Sequence, residues 1–187
     1  MKYVIGIDEV GRGPVAGPVV VCACAIVSGA DVVQFFPKGI LRDSKKLTEK
    51  HRQLILEKIK PLTESREVLF GIGEVSAVKI DEIGISQAIK DAMTQALMSL
   101  HDQKVPQESF VFLDGSLHAP TNYQQETIIK GDEKIPEISL ASIYAKEYRD
   151  SLMKEVGKQL PGYGFENHVG YGTSAHYEAI KKHGFTE

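Results

Sequence analysis

A mixed α/β fold, one five-stranded sheet flanked by helices, is the class this sequence predicts. Five short runs rich in β-branched residues alternate with long stretches whose apolar residues recur at helical spacing. The first two runs are joined by a turn, whereas helical stretches separate the second, third and fourth. That order makes the sheet partly antiparallel and partly parallel.

Tyr3 to Ile7 and Val19 to Ile26 read as buried strands, linked by the turn Gly11-Arg12-Gly13-Pro14-Val15-Ala16-Gly17-Pro18. Thr48 is placed to cap a helix carrying Leu54, Ile55 and Ile59, which Pro61 should stop. Glu67 to Glu74 is the third strand. Ile85 to Leu100 sets Ala88, Ile89, Ala92, Met93, Ala96, Leu97 and Leu100 on one stripe, a core-facing amphipathic helix. Ser109 to Leu113 and Glu126 to Lys130 complete the strands. A long helix should start at Pro136, suited to a first turn, and end near Leu160 before Pro161. Thr173 caps a last short helix closed by Gly184.

A length of 187 residues with 42% hydrophobic content suits one domain spanning 1–187 with a single sizeable core. Cys22 and Cys24 stand two apart in an apolar run, so on a strand they share a face as small buried residues rather than as a bridge. The longest apolar stretch, Val19 to Val27, is too short to span a bilayer, and no apolar segment precedes Tyr3; a cytoplasmic protein is expected. The net charge of −3 argues weakly against a polyanionic partner, unless cations gather on one face while carboxylates gather elsewhere.

The acids suggest that division. Asp8 and Glu9 close the first strand, Asp114 ends the fourth, and Asp132 follows the fifth after Lys130-Gly131. Ligands of α/β sheets gather beyond the carboxyl ends of parallel strands, so acids there can converge on one hard cation. Hydrolysing a phosphodiester requires stabilising both the attacking water and the leaving oxyanion, which two divalent ions about 4 Å apart can do. Oxygen-only ligation favours Mg²⁺ or Mn²⁺ over Zn²⁺. Taken singly, each acid is an ordinary turn residue, Asp114-Gly115 above all. Because adjacent strand residues point to opposite faces, Asp8 and Glu9 serve together only if the strand is distorted there.

The segment Gly6-Ile7-Asp8-Glu9-Val10-Gly11-Arg12-Gly13-Pro14-Val15-Ala16-Gly17-Pro18-Val19-Val20 closely resembles the opening signature of ribonucleases HII. The match continues, in the family's order, through Asp43 to Leu47, Leu113-Asp114-Gly115, Lys130-Gly131-Asp132, Ser139 to Asp150, and His168-Val169-Gly170-Tyr171-Gly172-Thr173, nearly the whole chain. The resemblance implies a ribonuclease H-like fold with Asp8, Glu9, Asp114 and Asp132 as the catalytic set, the first three holding metal. It implies that Gly11, Arg12, Gly13 and Tyr171 read the ribonucleotide 2′-hydroxyl and the RNA-to-DNA junction, and that Lys45, Lys46 and Lys146 contact phosphate. The substrates implied are RNA/DNA hybrids and duplex DNA with embedded ribonucleotides, in replication and repair.

Asp43 and Asp150 read as structural, the latter one helical turn from Lys146. His168 and His176 carry no assignment from sequence. Leu140, Tyr144, Glu147 and Tyr148 differ from the family's usual, often smaller or apolar residues, with consequences for packing or for the phosphate path beside Lys146. Beyond the last helix no clamp-binding tail is evident, and a monomer is expected. Ribonuclease HIII is the nearest rival, but Asp8 lies close to Met1, leaving no room for that family's extra N-terminal domain, and Arg12 fits type HII. Another ribonuclease H-like nuclease, such as a resolvase core, lacks a reason for the paired Gly-Arg-Gly and Gly-Tyr-Gly. A non-catalytic nucleic-acid-binding module would not need all four acids. A mononucleotide-binding protein would need phosphate-loop spacing that is missing here.

Overall fold

The computed structural model describes residues 2–36 and 47–186. Five strands form one sheet: β1 (Tyr3–Val10), β2 (Val19–Val27), β3 (Val68–Val75), β4 (Phe110–Asp114) and β5 (Gln125–Ile128), in the order β3-β2-β1-β4-β5. The turn-linked strands β1 and β2 pair antiparallel, as do β2 and β3, while β4 lies parallel to both β1 and β5. The mixed sheet expected from the order of elements is therefore present, with β1 at the junction of its two halves. The carboxyl ends of β1, β4 and β5 share one edge.

Around the sheet lie α1 (Glu49–Glu64), α2 (Ala77–Ile83), α3 (Ile85–Asp102), α4 (Pro136–Gln159), α5 (Phe165–His168) and α6 (Ser174–His183). The alternation of the strands divides the core. Ile5, Ile7, Val19, Val21 and Ala23 face α3, whose buried stripe is the one its periodicity predicts. Cys22, Cys24 and Ile26 face the other way, against Ile55 and Ile59 of α1 and Leu140, Ala141 and Ile143 of α4. Both cysteines are buried and free, and burial pushes their thiol pKa values well up. No helix among the described residues is long and apolar enough to cross a membrane.

Helix α4 sits so close to β1 that a Cβ at Gly6 would overlap the backbone of Glu137 and Ile138. Only glycine permits that approach, which brings the amino-terminal half of α4 beside the end of β1. Four residues of α4 lock it sideways. Leu140 is fully buried, Tyr144 stacks on Phe70 with centroids 4.2 Å apart, Glu147 pairs with Arg52 at 2.6 Å, and the Tyr148 hydroxyl donates to Glu74 at 3.1 Å.

Three local expectations are corrected. Helix α1 runs through Pro61 to Glu64 rather than stopping at it. Its apolar face, Ile55, Ile59 and Leu62, is packed on both sides of the proline, and this burial outweighs one missing backbone bond. Strand β5 ends at Ile128, so Asp132 lies four residues beyond it in a 3-10 turn, Gly131–Glu133, entered through left-handed Lys130 (φ 55°). Strand β1 stays in register with β2 through Val10, so no break separates Asp8 from Glu9.

Candidate active site

Parallel pairing sets the acids side by side. Register partners Ile7 and Leu113 are followed by Asp8 and Asp114, which therefore emerge together where the pairing of β1 and β4 stops. They open on a cleft of about 390 Å³ lined also by Glu9, Gly11, Arg12, Gly13, Arg52, Ser142, Lys146 and Tyr171. Glu9 reaches the same cleft although its backbone alternates with that of Asp8, because β4 has no pairing alongside it there.

Each acid is held differently. Asp8 is buried, its Oδ1 accepts from the Glu9 amide at 2.8 Å, and it also bonds the Ser142 side chain. Burial raises its pKa well above the ordinary carboxylate value; Ser142 opposes the rise, and repulsion from Glu9 and Asp114 adds to it. Burial likewise raises Glu9, repulsion from Asp114 adds to this, and Arg12 at 3.9 Å opposes it. Asp114 Oδ1 accepts from the Gly131 amide at 2.7 Å and more weakly from Asp132 at 3.4 Å. Asp132 is fully buried behind that turn and does not line the cleft; its carbonyl accepts from the Ser139 hydroxyl.

These residues fit a divalent cation. Three carboxylates crowd one cleft and repel one another, all cleft-lining acid donors are oxygen, and a cation would relieve the cost that burial places on Asp8. Among the described residues no three His, Cys, Asp or Glu side chains stand close enough together to hold a metal ion as they are placed.

The rest of the cleft lining is cationic and aromatic. Arg12 is exposed, and Lys146 lies 5.7 Å from the centroid of the Tyr171 ring while its Nζ donates to Asp150 at 2.7 Å. Asp150 is thus an anchor, as its spacing from Lys146 suggests. Lys45 and Lys46, with Asp43, lie outside the described residues. Sequence reasoning passed over Arg52, whose guanidinium binds Glu147, Asp150 and the Leu47 carbonyl at the cleft rim. It also passed over Ser142 and Arg149.

Arg149 is fully buried and ties the turn after β1 to the loop before α6. Its Nε donates to the Pro18 carbonyl at 2.9 Å, Nη2 to Ala16 at 2.9 Å and Nη1 to Val169 at 2.8 Å. Burial pulls its pKa down, with Tyr171 and Asp150 opposing. The Val15 and Ala16 amides both donate to the Gly170 carbonyl, at 2.9 and 3.2 Å, closing the contact between loops. A Cβ at Gly170 (φ 90°) would overlap the Ala16 carbonyl, so this position requires glycine twice over. An arginine directly before an acid on a helix gives no sequence signal of such a role.

The family model for ribonuclease HII matches residues 5–187. The chain belongs to the ribonuclease HII family. It is accordingly an endonuclease of the type 2 ribonuclease H class. It is 46% identical to ribonuclease HII of Bacillus cereus (strain Q1) over 187 residues, all of this chain and 67% of that protein. Among solved structures, ribonuclease H2 from Pyrococcus horikoshii OT3 superposes with a TM-score of 0.73 at 22% identity, covering 99% of this chain and 90% of that one. Bst-RNase HIII in complex with Mn²⁺ gives 0.67 at 18% identity, over 98% and 63%. These two likenesses concern the fold, which is the ribonuclease H-like one expected.

Proposed function

We propose that this enzyme cuts the RNA strand of RNA/DNA hybrids and cleaves on the 5′ side of single ribonucleotides embedded in duplex DNA, leaving 5′-phosphate and 3′-hydroxyl ends. The observation carrying the reading is the placement of Asp8, Glu9 and Asp114 in one cleft with the Gly11-Arg12-Gly13 turn and Tyr171. Acids in the cleft suit the reacting phosphate, and a glycine turn with an aromatic ring beside them suits a sugar that differs from its neighbours by one hydroxyl.

In this reading Asp8, Glu9 and Asp114 hold divalent metal, Mg²⁺ or Mn²⁺. Two such ions would supply a nucleophilic water and stabilise the leaving oxyanion. Mn²⁺ bound by the HIII relative is consistent with this ligand chemistry. Asp132 supports from behind, because its turn orients Asp114 through the Gly131 amide. Gly11 and Gly13 let backbone atoms approach the sugar, Arg12 and Lys146 meet phosphates, and Tyr171 stacks on the sugar past the ribonucleotide. Lys45 and Lys46 would extend the phosphate track.

The test offers the protein a DNA duplex containing one ribonucleotide, beside an all-DNA duplex, with Mg²⁺, Mn²⁺ or chelator. Metal-dependent cutting immediately 5′ to the ribonucleotide is expected. Absence of cutting with either metal, in a folded sample, overturns the proposal.

A further inference from the structure

Tyr171 is 41% exposed at the mouth of the cleft, yet its backbone is pinned from behind by two histidines that never reach the cleft. His176 is buried, and its Nδ1 lies 3.0 Å from the Tyr171 carbonyl. The Gly170 amide donates to His168 Nδ1 at 3.3 Å, and His168 Nε2 lies 2.8 Å from the Tyr163 carbonyl. The two rings stack with centroids 4.5 Å apart, and both meet Phe165 edge-on.

These partners dictate opposite tautomers. A carbonyl can only accept, so His176 carries its proton on Nδ1 and His168 on Nε2; an amide can only donate, so His168 Nδ1 is bare. Each ring thus offers the one group its side of the Gly170-Tyr171 segment needs. The same segment is held in front by Val15 and Ala16, and Val169, just before it, is a β-branched residue with φ 44°. A backbone so far from its ordinary region persists where neighbours over-determine it.

We propose that His168 and His176 are positioning residues for substrate discrimination: they set the height at which Tyr171 meets the Gly11–Gly13 turn. They touch neither substrate nor reacting atoms. This rests on the reading of Tyr171 given above.

The experiment compares kcat/KM for the single-ribonucleotide duplex with that for a continuous RNA/DNA hybrid. H176F keeps the ring and loses the donor; H176N replaces the Nδ1 donor with an amide. The ratio should fall about five-fold in H176F, the effect of one net hydrogen bond, and recover in H176N. In the Y171A background, H176F should add nothing. If H176F slows both substrates equally, or adds fully to Y171A, the positioning role is wrong while Tyr171 keeps its own. If Y171A leaves the ratio unchanged, the Tyr171 reading falls and takes this inference with it. Ring ¹⁵N spectra of the unmutated protein test it without any variant: the expected pair is Nδ1–H for His176 and Nε2–H for His168. Finding both as Nε2–H overturns the inference.

Discussion

The two walls of the cleft are built by different physics. The acidic wall is an extension of the sheet, where Asp8 and Asp114 stand where register and apolar helix packing leave them. The other wall is made of loops, anchored by the small cluster in which Ala16 and Val169 meet Met153, Tyr163 and Phe165. Buried polar side chains also hold it: Arg149 across two loops, and His168 and His176 behind one. A cluster of repelling acids tolerates a stiff support that ignores charge, whereas loops that must present backbone to a sugar need every buried carbonyl matched.

Exchanging Asp8 for Asn breaks the acidic wall chemically while leaving its support intact. Turnover should fall on the order of 10⁴-fold, as for other groups central to a reaction, with folding preserved. Without metal the variant should be the more stable. Asp8 binds its proton more tightly folded than unfolded, so its contribution to stability declines as pH rises above the ordinary carboxylate range toward its raised folded value. Thermal melts in chelator across that range should show this decline in the unmutated protein and a flatter profile in D8N. A D8N protein that is less stable throughout would mean that the acids are structural.

The reverse pattern is expected of Arg149→Met. One buried and two half-buried carbonyls lose their donors, costing about 3 kcal/mol. That corresponds to a fall in Tm of roughly 10 °C for a chain this size. Binding of Mg²⁺ to the folded fraction should be unchanged, since Arg149 lies away from the acids. Loss of metal binding alongside stability would merge the two walls into one unit and dissolve the contrast. The smallest effect is expected outside both walls. Tyr148→Phe removes a hydrogen bond between half-exposed groups of α4 and β3, so stability should change by no more than about 0.5 kcal/mol and cleavage not at all.

The contrast also explains what was legible in advance. Strands, the stripe of α3, the Thr48 and Thr173 caps and the start of α4 at Pro136 follow from periodicity and local chemistry, and all are present. Asp8, Glu9 and Asp114 were legible as strand-end acids. The run of α1 through Pro61 is not legible because packing on either side of it is invisible locally, and β5 stops short of Lys130 because Ile129, though apolar, is 75% exposed. Arg149, Arg52 and the histidine pair carry no local signature. The partners of the two arginines are backbone atoms and acids up to 133 residues away in the chain, whereas those of the histidines are loop backbone atoms within five residues.

By itself, then, the sequence determined the kinds of element, their order, the mixed sheet and the acids at its edge, because these depend on period, propensity and capping within a few residues. Only the tertiary structure decided that Asp132 stands behind Asp114 rather than beside it, that Glu9 shares the cleft with Asp8, and that a buried arginine and two stacked histidines carry the Tyr171 loop. Those outcomes depend on which groups burial brings together, and a buried donor or acceptor finds its partner in space, not in sequence.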